Sequence, residues 1–188
     1  VSLNYGQNRA EYLITNTVNP SLGPASPTSF RPGALEQREL TFNFDLSYPW
    51  EVGLATPLNV AAGLEFHRET YEVFLGDFAS RQVGPFASFV DPDTGLPGGL
   101  PVGSNGFPGF NEIAAGEFQR DNVALYTALE GDITDRFRAG AAARFEDFSD
   151  FGSTFNWKLT GRYEFIDGFA ARASVSTGFR APSPGQSN

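Results

Sequence analysis

Along most of this chain apolar and polar residues alternate one by one, and a period of two commits a segment to extended strand. The pattern is cleanest in the last third. From 137 to 147 one face reads Phe137, Ala139, Ala141, Ala143 and Phe145, and the other Arg138, Gly140, Ala142, Arg144 and Glu146. From 153 to 165, Phe155, Trp157, Leu159, Gly161, Tyr163 and Phe165 alternate with Thr154, Asn156, Lys158, Thr160, Arg162 and Glu164. From 169 to 179, Phe169, Ala171, Ala173, Val175 and Phe179 oppose Arg172, Ser174, Ser176 and Arg180. Earlier, Leu40, Phe42, Phe44, Leu46 and Tyr48 oppose Glu39, Thr41, Asn43, Asp45 and Ser47, and Leu58, Val60, Ala62, Leu64 and Phe66 repeat the pattern. A weaker version runs from 119 to 132, and the chain opens on Val1, Leu3 and Tyr5. A helix would scatter Arg144, Lys158 and Arg162 among the apolar positions of one face. About seven strands result, each long enough to cross a bilayer at a tilt, for which roughly 9–11 residues suffice.

Strands of this kind fit two environments, and the connections separate them. Tyr48–Gly53, Ile133–Arg136 and Ile166–Gly168 are short, and Asp167-Gly168 suits a hairpin. The stretches 8–38 and 75–118 are long, rich in Pro and Gly, and are expected to be loops; only the link at 149–153 is short on that side. Short turns at one end and long loops at the other is the asymmetry of an outer-membrane barrel. Aromatics gather at two levels. Tyr48, Trp50, Phe137, Phe165 and Phe169 lie near the turns, and Phe66, Phe145, Phe148, Phe151, Phe155 and Trp157 toward the loops, as two interfacial girdles would require. A soluble sandwich also uses alternating aromatics, so a β-sandwich carbohydrate-binding module stays as an alternative, as does a small outer-membrane barrel acting as pore or adhesin.

Net charge −9 and mean hydropathy −0.25 do not exclude a membrane, because a barrel is apolar on one face only. No apolar run approaches the roughly 18–20 residues of a spanning helix. The acidic balance argues against a nucleic-acid partner, and the absence of Cys excludes disulfides and thiolate metal sites. The chain begins at Val1 with no leader pattern and is expected to be a piece of a longer protein.

Three segments carry a resemblance. Ser174-Val175-Ser176-Thr177-Gly178-Phe179-Arg180-Ala181-Pro182-Ser183 resembles a barrel signature of TonB-dependent outer-membrane receptors, Asp150–Lys158 resembles one of their strand openings, and Asn59–Glu65 another strand. The resemblance covers the whole chain. It implies an all-β, antiparallel transmembrane barrel of roughly 22 strands around a plug, of which residues 1–188 would be a partial barrel domain. It also implies energy-coupled uptake of a scarce nutrient such as a siderophore, in the outer membrane. The implied partners are outer-membrane lipid, the remainder of the barrel and its plug, the inner-membrane TonB complex and a small-molecule ligand. Plug and energy-coupling box are not visible in these residues, so function is expected to belong to the parent protein. In the family reading Arg180 and Pro182 shape a strand end.

No catalytic constellation stands out; no enzyme activity, cofactor or metal is expected. Arg144, Glu146, Lys158, Arg162, Glu164 and Arg172 are expected to face a wet lumen. Within 75–118, Phe86, Phe89, Phe107 and Phe110 are candidate ligand contacts, together with Asp91 and Asp93. Asp77, Asp91, Asp93, Glu112 and Glu117 against Arg81 make that loop acidic, which would attract cations or simply keep it soluble. Asp91-Pro92-Asp93-Thr94-Gly95 faintly resembles the start of a calcium loop, but position 102 is Val where a bidentate Glu is needed, so a turn is expected. His67, the single histidine, shares a face with Glu65 and Glu69 and is expected to be an ordinary polar residue.

Overall fold

The structure is a computed structural model and describes residues 1–182. One seven-stranded sheet dominates it, with strands in the order β1, β2, β3, β6, β7, β8, β9. These are β1 (Ser2–Thr15), β2 (Ser29–Trp50), β3 (Leu58–Phe74), β6 (Gly116–Thr134), β7 (Phe137–Phe148), β8 (Gly152–Ile166) and β9 (Phe169–Ser176). Between β3 and β6 come a single helical turn α1 (Phe78–Arg81) and a small hairpin of β4 (Phe89–Val90) with β5 (Pro97–Gly98). Among these seven, each strand pairs with the next one along the chain, and β1 and β9 form the margins of the sheet.

Two sequence expectations need correction here. Residues 8–15 and 29–38 belong to β1 and β2, so the irregular connection shrinks to 16–28. In β1 both faces are exposed and Arg9 and Glu11 hide the period; in β2 one face is buried, but Pro32 and Glu36 interrupt Phe30 and Ala34 on it and Leu35 falls on the other. At the other end β9 stops at Ser176, so Phe179 does not continue its apolar face.

The chain falls into two compact units. The first comprises Val1–Gly6, Glu39–Glu69 and residues from Gln119 onward. Its register is regular: Leu125, Phe145 and Phe155 align across β6, β7 and β8, and Leu129, Ala141, Leu159 and Val175 align across β6 to β9. Cross-strand pairs such as these hold a sheet together. The tight turns are built as read. Gly168 takes φ +84° after Asp167, and Thr134 Oγ1 accepts from the Phe137 amide at 3.1 Å.

What distinguishes this unit is which side is covered. Phe155 is 61% exposed, Leu159 50%, Phe165 51% and Val175 55%, whereas the Arg144 and Glu146 side chains are only 32% and 15% exposed. In a soluble protein that order is reversed. Ala124 is the one buried apolar residue of this unit among those described. A continuous exposed apolar sheet face calls for a lipid solvent. A sandwich would bury that face under a second sheet, and none covers it among the described residues, so the β-sandwich reading is set aside. The small closed barrel is set aside too, since β1 and β9 do not pair with each other.

The second unit comprises Gln7–Arg38 and Thr70–Phe118, and it does have a small core: Leu22, Phe30, Ala34 and Val73. Its organiser is Asn19, which is fully buried. The Asn19 amide donates to the carbonyls of Ala79 at 3.0 Å and Gln82 at 2.9 Å. Its oxygen accepts from Ser21 Oγ at 2.7 Å, the Ser21 amide at 3.2 Å and the Gly103 amide at 3.1 Å. Three loop segments are thereby fixed by one side chain.

Candidate functional site

The polar face of the first unit carries the residues expected to line a lumen, and register places them on one side. Arg144 reaches Glu65 at 2.8 Å and Glu146 at 3.0 Å, and its guanidinium lies 5.8 Å from the Tyr126 ring centre. Tyr126 lies across Gly63, where a Cβ would stand 2.3 Å from the phenol, and bonds to Asp45. Glu65, Tyr126, Arg144, Asn156 and Lys158 line an open cavity of about 490 Å³. Arg162 pairs with Glu164 at 2.8 Å, and Arg162 and Arg172 stand opposite one another. All six candidate residues therefore share the charged face. His67 has its Nε2 shielded and without a hydrogen-bond partner among the described residues.

The sequence reading missed Arg120, which is 3% exposed. Its guanidinium holds Asp150 at 2.6 and 2.8 Å, donates to the Pro182 carbonyl and lies 5.2 Å from the Phe151 ring centre. Phe148 and Phe151 stack at 4.3 Å, and Phe179 packs on both at 6.2 and 5.4 Å. Phe148 shares the parity of Arg144 and Glu146, so it belongs to the polar face. It is not part of a lipid-facing girdle, a correction that covers Phe151 as well. The signature thus acts through Phe179 and the Pro182 carbonyl, while Arg180 is exposed; Ser183 lies outside the described residues. The turn-end aromatics do form a lipid-facing group, with Phe137, Tyr163, Phe165 and Phe169 in successive contact at 6.4, 5.0 and 5.9 Å.

In the second unit only part of the expected loop platform assembles. Phe107 and Phe110 meet edge to face at 5.2 Å, and Tyr12 joins them at 5.8 and 6.2 Å. Arg9 lies over Phe74 at 4.3 Å, and Arg9, Tyr12, Arg31 and Phe74 border a recess of about 240 Å³. Tyr12 lies within the stretch 8–38 that the sequence marks as loop. Phe86 and Phe89 go elsewhere: each covers a glycine, Gly23 and Gly98, whose missing Cβ would stand 2.4 and 2.9 Å from the ring. The acidic residues are mostly matched within the unit. Asp77 caps α1 and accepts from the Arg31 amide at 2.7 Å, Glu112 pairs with Arg81, and Glu117 and Glu72 pair with Arg38 at 2.7 and 2.9 Å. The loop is therefore a weaker cation attractor than its composition suggests.

Asp91 sits at the tip of the β4–β5 hairpin. One carboxylate oxygen accepts from the Asp93 amide at 2.8 Å and the Thr94 amide at 2.9 Å, and Gly95 follows at φ +70°. This is an Asx turn. The Thr94 amide first, then the Asp93 amide, hold the Asp91 carboxyl below the usual carboxylate range. A depressed folded value means the turn's contribution is full above the ordinary carboxylate pKa and is lost as pH falls through the depressed one. Carbon-13 titration of Asp91 is expected to give a midpoint below about 3.9, with the Thr94 amide shift tracking it. A midpoint at or above that value would contradict the turn.

A single antiparallel sheet with a lipid-type apolar face and a charged face is the wall of an outer-membrane β-barrel. The model of the TonB dependent receptor-like β-barrel family matches residues 1–188, and this chain belongs to that family. A solved structure, the siderophore receptor PirA from Acinetobacter baumannii, superposes with a TM-score of 0.60 at 17% identity, over 96% of this chain. The chain spans 22% of the length of that receptor. At such identity the likeness is one of fold.

Proposed function

We propose that this chain is a wall segment of an energy-coupled outer-membrane transporter for a scarce nutrient of the siderophore type. The observation that carries the reading is the inverted sheet of the first unit, apolar where lipid would lie and charged where water would. The family and the siderophore receptor with the same fold support it. The role is transport rather than catalysis, with the rest of the barrel, its plug and the TonB complex as partners. In the second unit, Tyr12, Phe107 and Phe110 beside Arg9 supply an aromatic and cationic surface suited to a ligand with planar anionic groups.

The test is uptake. Iron-starved cells producing the full receptor are offered a panel of labelled iron–siderophore complexes. Tyr12→Ala combined with Phe107→Ala is expected to weaken binding of the transported complex by roughly 2 kcal/mol, about 30-fold, as loss of an aromatic anchor does. Uptake should also stop when the TonB complex is deleted. A panel with no transported member would overturn the siderophore assignment. Uptake that persists without the TonB complex would overturn energy coupling.

A further inference from the structure

Of the asparagines in this chain, only Asn105 is followed by glycine. The pair lies in the second unit, between β5 and β6, and both residues are exposed. A backbone nitrogen can attack the side-chain carbonyl of the residue before it, and a Cβ on the attacking residue obstructs the approach. Gly106 has none, and its φ of +99° is one that glycine adopts freely. A Cβ built there would meet nothing within 4 Å, so the surroundings leave room as well. Among the described residues the Gly106 amide donates no hydrogen bond and the Asn105 side chain has no partner. Nucleophile and electrophile are therefore both free. Asp167-Gly168 offers the same ring chemistry on paper, but there the glycine amide donates to Glu164 Oε1 at 3.4 Å, and an ionised carboxylate is a poor electrophile.

We propose that Asn105 is a site of spontaneous deamidation through a succinimide. The Gly106 nitrogen forms a bond to Asn105 Cγ, the Cγ–Nδ2 bond breaks, and the Gly106 amide proton leaves with the departing ammonia. Water then opens the ring. Opening at Cγ gives aspartate; opening at the original main-chain carbonyl gives isoaspartate, in which the chain runs through Cβ. The balance is water in and ammonia out, with no oxidant or cofactor. The position gives the reaction a consequence. Asn105 donates its amide to the Val18 carbonyl at 2.8 Å, and its carbonyl accepts from Thr17 Oγ1 at 3.0 Å. Isoaspartate adds a backbone atom between these anchors and Phe107, and either product adds negative charge. Phe107 is thereby shifted against Tyr12 and Phe110, which it meets at 5.8 and 5.2 Å. The chemistry stands apart from the transport reading; its effect on a ligand rests on that reading.

The full receptor in detergent micelles is aged in mildly alkaline buffer and digested beside a fresh sample. Mass spectrometry with electron-transfer fragmentation separates isoaspartate from aspartate. Asn105 is expected to convert about tenfold faster or more than Asn111, which precedes Glu112, a barrier lower by about 1.4 kcal/mol. Isoaspartate is expected among the products. Asn105→Gln must close a larger ring and is expected to stop conversion at this position. Conversion no faster than at Asn111, or no greater in the aged than in the fresh receptor, overturns the site. Aspartate without isoaspartate marks direct hydrolysis and overturns the succinimide. Binding of the transported iron complex, measured on the same samples, is expected to fall in step with isoaspartate. Unchanged binding after conversion overturns the effect on the ligand. A fresh receptor that binds no iron complex sinks the transport reading and leaves the chemistry of Asn105 to stand or fall on the mass spectra.

Discussion

Ala141→Arg is expected to destabilise the folded receptor by about 2–4 kcal/mol, whereas Ala128→Arg costs under about 1 kcal/mol. The two substitutions are chemically identical and lie on neighbouring strands. Ala141 stands between Leu129 and Leu159 in register, midway between the turn-end aromatics and Phe145. A guanidinium there has only hydrocarbon around it and no short route to either interface. Ala128 lines the open cavity beside Tyr126 and Arg144, and Glu130 follows on the same face of β6. A long cation there finds water and a carboxylate. Urea titration in phospholipid vesicles, followed by tryptophan fluorescence, measures both. Equal costs would mean that the apolar face is not in lipid. A larger cost at Ala128 would exchange the faces.

The faces are legible from the sequence because the period of two survives wherever one side meets lipid. Leu129, Ala141 and Leu159 announce their side by composition alone, and Arg144, Lys158 and Arg162 announce the other. The signal fails where both sides are exposed, as in the polar part of β1, or where the buried side carries Pro32 and Glu36 among Phe30 and Ala34, as in β2. Arg9, Glu11, Glu36 and Arg38 form ion pairs within the second unit, Arg9 to Glu36 at 3.3 Å and Arg38 to Glu36 at 3.2 Å. Such strands show little alternation of hydrophobicity, so the polar parts of β1 and β2 read as loop and Tyr12 is hidden with them. The aromatic trio illustrates a second limit. Tyr12 meets Phe107 and Phe110 across most of the second unit's sequence, and spacing carries no trace of so distant a contact. Phe86 and Phe89 have the same composition signal as Phe107 and Phe110, yet they close over Gly23 and Gly98. Composition identifies which loop holds aromatics; only the fold decides which of them meet.

Asn19→Ala is the second large effect expected, about 3–5 kcal/mol against the second unit, from five hydrogen bonds at roughly 1 kcal/mol each and the orphaned groups they leave. Nothing in Thr17-Val18-Asn19-Pro20 marks Asn19 as more than a turn residue. Its importance comes from where the Ala79, Gln82 and Gly103 backbone groups converge. Ser21, held by Asn19, in turn accepts from the Gly84 amide at 3.0 Å, and Gly84 packs so closely that a Cβ would stand 2.1 Å from the Ser21 carbonyl. Freed from Asn19, the segment leading from Gly103 to Phe107 and Phe110 loses its anchor, and the aromatic surface loses its preorganisation. Hydrogen exchange reads this directly: protection at the Ser21, Gly84 and Gly103 amides is expected to fall by about two orders of magnitude or more, with β7 and β8 unaffected. Asn19→Asp keeps the acceptor but sets a carboxylate against the Ala79 and Gln82 carbonyls, so its effect should be at least as large. Unchanged protection in both variants would mean the loops are held by their apolar core of Leu22, Phe30, Ala34 and Val73, and that Asn19 only fills space between them.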